Sequence, residues 1–176
     1  MKKIVFKKLT LTLALLFSFT LAFAQMGDSN VLEGVKDTKK YKTIEVIQMD
    51  KDLSVLTSLL YMSGLNESLE SLEGEHTLFA PTNAAFADMS IEAFAELTNP
   101  ENRAELVSFL NLHFLPNKVM SSDLNDTQKV DTPNGTISVY KNDSTIGFGG
   151  AVIENADLET KNGVIHITNS AVAADK

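Results

Sequence analysis

Apolar positions along this chain change their spacing twice, and the changes divide it into three parts. The first is an apolar run from Leu9 to Phe23, broken only by Thr and Ser, that follows Lys2, Lys3, Lys7 and Lys8. From Met26 to Lys40 the residues are polar and charged without a sustained period, too little apolar surface to order a segment. This predicts a flexible leader over 25–40 and order beginning near Tyr41. Helical spacing then takes over. Ile44, Ile47 and Met49 predict a short helix over Thr43–Met49, and Asp52 is placed to cap a second. In that second helix Leu53, Leu56, Leu59, Leu60 and Ser63 form one stripe, which Gly64 stops.

Leu65 to Leu72 reads as another short helix closed by Gly74. His76-Thr77-Leu78-Phe79-Ala80 reads as a strand that Pro81 ends. Thr82 or Asn83 can cap a helix holding Ala84, Ala85 and Phe86, and Ser90 can cap another through Leu97. Asn99-Pro100 then starts the longest helix, because Pro at the first helical position gives up no backbone hydrogen bond. Along it Arg103, Leu106, Val107, Leu110, His113 and Phe114 share a face, which places a histidine on the apolar side.

After Pro116 the period falls from about 3.6 to about 2. Lys118–Met120, Thr136–Tyr140, Thr145–Phe148, Ala151–Ile153 and Gly163–Thr168 favour strand. Asn134-Gly135, Asn142-Asp143, Gly149-Gly150 and Asn162-Gly163 punctuate them as turns or bulges. A helical first half feeding an antiparallel second half is the α+β pattern, and no internal repeat is present.

The basic start, the short apolar run and Ala22-Phe23-Ala24 before Gln25 together predict a secretory signal over 1–24, cleaved to leave one domain over 41–176 behind its leader. The run is shorter than the ~20 residues that span a bilayer, and no cysteine follows for lipid attachment, so no membrane anchor is expected. The protein is expected in the periplasm or outside the cell. Losing four lysines with the signal would take the formal charge from −8 to −12, which argues against nucleic acid and anionic lipid as partners. With no cysteine in an exported chain, packing alone must supply stability.

Candidate chemistry is sparse. His76, His113 and His166 are the only histidines, and none is spaced with a second ligand for metal binding. His113 reads as a core histidine bonded to backbone, and His166, alternating with Ile165 and Ile167, as a sheet-surface or edge residue. No G-x-S-x-G elbow is present and no serine is tied by motif to a histidine and an acid. Gly147-Phe148-Gly149-Gly150 lies between strands with no helix after it, so it reads as a turn, not a phosphate loop. The acidic residues form no calcium loop. N-x-S/T triplets begin at Asn66, Asn125, Asn134 and Asn142; a eukaryotic secretory pathway could glycosylate them, but the short lysine-rich signal suggests a bacterial protein, in which they carry no meaning. Neither an enzyme nor a cofactor is expected.

Three segments, in order, resemble the fasciclin (FAS1) domain family: Thr77-Leu78-Phe79-Ala80-Pro81-Thr82-Asn83-Ala84-Ala85-Phe86, Leu110-Asn111-Leu112-His113-Phe114-Leu115-Pro116-Asn117-Lys118-Val119 continued by Ser122-Asp123-Leu124, and Asn162-Gly163-Val164-Ile165-His166-Ile167-Thr168. The resemblance covers Tyr41 to about Ala174. It implies a wedge of two small antiparallel β-sheets with several short helices packed on one side. It also implies non-catalytic adhesion or recognition at the cell surface or in the matrix, with a surface protein or matrix polysaccharide as partner. Some similar proteins carry a small apolar ligand such as a carotenoid, which is the alternative. The family's Tyr-His pair is Leu112-His113 here, and its Gly before Lys is Asn117, so the integrin contact proposed for animal members is not expected. His113 would instead tie the helix end to the strand after it. The candidate interaction segment is Leu112, His113, Phe114, Lys118 and Met120, where helix gives way to strand.

Overall fold

The computed structural model describes residues 37–132 and 134–175; the signal over 1–24 and the leader up to residue 36 lie outside the described residues. Order begins earlier than Tyr41. Asp37 caps a 3-10 turn over Thr38–Lys40, and Thr38 Oγ1 donates to the Glu159 carbonyl at 2.7 Å, so this end of the expected leader is held against the sheet.

Helix α1 (Thr43–Met49) buries Ile44, Val46 and Ile47. The next cap is Asp50, not Asp52: its carboxylate accepts from the Asp52 amide at 2.9 Å, because a 3-10 turn over Lys51–Leu53 precedes α2 (Ser54–Ser63). The stripe Leu53, Leu56, Leu59, Leu60 and Ser63 is buried as its spacing requires. Gly64 ends α2 at φ 78°, a conformation that costs glycine little. Arg103 closes the same end by donating Nε and Nη2 to the Ser63 carbonyl at 3.1 and 2.8 Å. Helix α3 (Leu65–Ser71) then stops at Leu72, before Gly74.

Strand β1 (His76–Pro81) leads into α4 (Asn83–Ala87) and α5 (Ile91–Thr98), capped by Thr82 and Ser90. Asn83 instead serves the other end of the helical layer. Its Oδ1 accepts from Val55 N at 2.9 Å, and its Nδ2 donates to Lys51 O and Ser54 Oγ at 2.9 and 3.0 Å, satisfying the open start of α2. Asn99-Pro100 starts a 3-10 turn over Pro100–Asn102 before α6 (Arg103–Asn111), whose nine residues make it shorter than the ten of α2.

The remaining strands are β2 (Phe114–Leu115), β3 (Lys129–Thr132), β4 (Gly135–Lys141), β5 (Ile146–Phe148), β6 (Ala151–Thr160) and β7 (Gly163–Thr168). The α+β class stands, and what differs from the expected pair of small sheets is their connection. Hydrogen bonding runs through all seven strands in the order β2-β1-β7-β6-β5-β4-β3, and β1 pairs β7 in parallel, from His76↔Gly163 to Pro81↔Thr168. The other pairings are antiparallel.

Both faces of β1 are covered, which is why all six of its residues are buried. Leu78 and Ala80 join Ile165 in a core under the helices. On the opposite face Phe79 stacks on Phe148, centroids 3.7 Å apart, in a second core with Leu115, Leu124, Ile137, Val139 and Val172. Register shifts in β6 between Ile153 and Leu158 bend the sheet so that β3–β5 can close over that face.

Three readings of strand are corrected. Lys118–Met120 is irregular, since its polar backbone groups bond to side chains: Val119 N donates to Thr77 Oγ1 at 2.8 Å, and Thr77 Oγ1 donates to Asn117 O at 2.7 Å. β3 was unrecognised because Val130 is its single apolar residue. β6 extends to Thr160, far past Ile153, because its bulges break the alternation.

Asn83→Ala is expected to cost about 2 kcal/mol in urea unfolding and Thr82→Ala about 1, because Asn83 bridges two segments while Thr82 makes one local cap. Gly163→Ala is expected to cost about 3 kcal/mol or more in the same measurement. A Cβ there would lie 2.3 Å from the His76 carbonyl oxygen, which the parallel pairing holds in place.

Candidate functional site

The segment after α6 is fixed from both sides by buried histidines. His113 is 0% exposed. Its Nδ1 lies 3.0 Å from the Phe109 carbonyl, which can only accept, so Nδ1 carries the proton and Nε2 accepts from Val172 N at 3.0 Å. Its own carbonyl accepts from Phe79 N at 2.9 Å. The ring therefore ties the helix end to the C-terminal segment, and the backbone ties it to β1; the strand immediately following is not the ring's partner. Burial lowers its pKa to about 4, against a smaller opposing effect of the Phe109 carbonyl.

His166 is not on the sheet surface. It too is 0% exposed, with its ring 5.2 Å from that of Phe79, because both faces of β7 are covered. Nε2 donates to Val119 O at 2.9 Å and Nδ1 accepts from Asp157 N at 3.1 Å. Asp157 occupies a bulge at φ 63°, and its carboxylate accepts from Ser121 N and Ser121 Oγ at 2.7 and 2.5 Å. His166 thus clamps the irregular 118–121 stretch onto β6. Burial lowers its pKa, so the ring is neutral beside Asp157 and the two form no ion pair at neutral pH.

The five residues of the candidate interaction segment do not form one patch. Leu112 packs on the second core, His113 is buried, and Phe114 is half-buried on the opposite, helical side. Lys118 donates to Glu159 at 2.8 Å, where Lys39 also pairs at 2.8 Å. Lys118 and then Lys39 pull the Glu159 carboxyl down to about 2, a surface network that salt screens. The half-buried Met120 offers its amide to Asp123 Oδ2 at 2.9 Å.

Two concave features with mainly apolar lining stand out among the described residues. A groove of about 500 Å³ runs between α4 and α5, lined by Val55, Phe86, Met89 and Phe94, and beside it Ile91 is 84% exposed. A second cleft, about 410 Å³, lies between α3 and the β1–β2 edge, lined by Leu65, Leu69, Leu72, Phe114, Leu115 and His76. His76 is 2% exposed, its Nδ1 faces Gly74 O at 3.3 Å, and its Nε2 has no hydrogen-bond partner among the described residues. Neither feature was found from sequence: apolar spacing marks these leucines as core, and only the angle between α3 and the strand edge leaves a gap. Asp157 and Ser121 were also missed, since no motif links them. Among the described residues no group of three or more His, Asp or Glu could hold a metal ion, and no helix is long and apolar enough to cross a membrane.

The geometry of two cores around a bent sheet, with short helices on one side, defines a class. The Fasciclin domain family matches residues 51–173, and the chain belongs to that family. It is 28% identical to "Protein sll1483" of Synechocystis over 87% of this chain and 86% of that one. It is 28% identical to "Transforming growth factor-beta-induced protein ig-h3" of Sus scrofa over 86% of this chain, which spans 22% of that protein. Over 76% of each chain it is 25% identical to a Plasmodium falciparum protein named "Heme ligase". The fold matches the FAS1 domain pair of the insect cell adhesion molecule Fasciclin I with a TM-score of 0.65 at 16% identity, covering 74% of this chain and half of that one.

Both His113 and His166 accept a backbone N–H, so protonation removes a bond as well as burying a charge. The pKa of His113 falls on folding from 6.5 to about 4, so the unfolded state binds more protons between those values. Its contribution is complete above about pH 6.5 and is lost as pH falls through that window, on the order of 3 kcal/mol by pH 4. Urea unfolding at intervals from pH 7 to 4 is expected to show this fall. His113→Gln should be less stable at pH 7 and lose less on acidification.

Proposed function

We propose that this protein is an exported, non-catalytic recognition module that attaches to a surface protein at the cell surface or in the surrounding matrix. The observation that carries the reading is the groove between α4 and α5, where Ile91 is 84% exposed beside Val55, Phe86, Met89 and Phe94. An aliphatic side chain left in water beside an apolar groove gains most when a partner covers both. The groove's lining of aliphatic and phenyl side chains suits an apolar side chain of a protein better than a hydroxyl-rich polysaccharide. The chain's formal charge of −8 further disfavours anionic polymers. His113 and His166 have both ring nitrogens engaged with backbone, so neither is free for proton transfer, and His76 is the one histidine with an unpaired nitrogen among the described residues. Membership of the Fasciclin domain family, whose domain also builds a cell adhesion molecule, supports the same reading.

Ile91→Asp tests it with little risk to folding, because the residue is exposed and an acidic group suits the first turn of a helix. Binding of the labelled purified protein to cell-envelope fractions from its native source is expected to be saturable, sensitive to protease, and weakened about tenfold or more by this change. Unchanged binding by the variant, or binding that survives protease, would overturn the reading.

A further inference from the structure

The cleft between α3 and the β1–β2 edge carries a feature the recognition reading does not use. A carbonyl can only accept, so the 3.3 Å contact to Gly74 O places the His76 proton on Nδ1 and leaves Nε2 as a lone-pair acceptor. That acceptor is buried without a partner among the described residues, whereas His113 and His166 have both nitrogens paired. Unpaired buried polar atoms are uncommon in folded proteins, because each forgoes a hydrogen bond that water would have supplied. Leu65, Leu69, Leu72 and Phe114 make most of the surroundings apolar, with Ser68, Glu75 and Asn111 the other polar side chains of the lining, and the space of about 410 Å³ is within the range of small-molecule sites.

We propose that this cleft binds a neutral, largely apolar small molecule bearing one hydroxyl, an alcohol or phenol, whose O–H donates to His76 Nε2 while its hydrocarbon part packs on the three leucines and Phe114. The unpaired acceptor at His76 Nε2 selects this class. A ketone, ether or carboxylate brings no proton to Nε2, and a carboxylate would also face Glu75, the one charged side chain lining the cleft. The site is separate from the groove at Ile91, so either proposal can fail without the other.

The test titrates the purified protein with 2-naphthol and with naphthalene, the matched ring system without the hydroxyl. Methyl signals of Leu65, Leu69 and Leu72 and the ¹⁵N signal of His76 Nε2 are followed by NMR. Saturable shifts of the leucines are expected with both, about tenfold tighter for 2-naphthol, and only 2-naphthol should move the Nε2 signal as an accepted hydrogen bond does. His76→Phe should erase the preference and leave naphthalene binding in place. No saturable shift, equal affinities, or a preference that survives in His76→Phe would overturn the proposal. Should that variant fail to fold, the wild-type Nε2 signal decides alone, and an unmoved signal overturns it.

Discussion

The parallel ladder between β1 and β7 is the contact on which the rest of this molecule depends. It joins segments more than eighty residues apart, along six register pairs, and it presents a surface to be covered on each side. The helices cover one side through Leu78, Ala80 and Ile165; β3–β5 cover the other around Phe79 and Phe148. Covering both sides requires the sheet to turn back, and the bulges of β6 provide the turn. Close approach of the two strands in turn forbids a side chain at Gly163, opposite His76.

A sheet buried on both faces leaves no water for polar groups, and here imidazole rings take that place. His113 and His166 each donate to one backbone carbonyl and accept from one backbone amide, bridging stretches that have no ladder of their own. Such bridges hold only while the rings are neutral, which burial enforces by lowering both pKa values. The same interior that makes the fold rigid near neutral pH therefore makes it sensitive to acid. The chain has no cysteine to restrain it covalently.

Among the described residues, two apolar concave features open to the surface. One is the groove beside the exposed Ile91; the other is the cleft lined by His76, whose Nε2 is unpaired among the described residues. The first lies between α4 and α5, the second between α3 and the β1–β2 edge.

Much of the local structure could be read from residue order alone. The stripe of Leu56, Leu59, Leu60 and Ser63, the stop at Gly64, the caps Thr82 and Ser90 and the family boxes depend on neighbours a few residues away, and the structure bears them out. Asp50 displaced Asp52 as a cap because a 3-10 turn precedes the helix, and Lys118–Met120 lost its strand because Thr77, from a distant segment, took over its backbone bonds. His166 shows the limit most clearly. Alternation with Ile165 and Ile167 correctly put it on the opposite face, but whether that face meets water depends on β3–β5 folding over it. The sequence by itself determined the periods, turns and caps, since these are interactions between near neighbours. Tertiary structure alone decided the parallel pairing, the burial of His76 and His166 and the unpaired nitrogen of His76, because each depends on which distant segment comes to lie opposite.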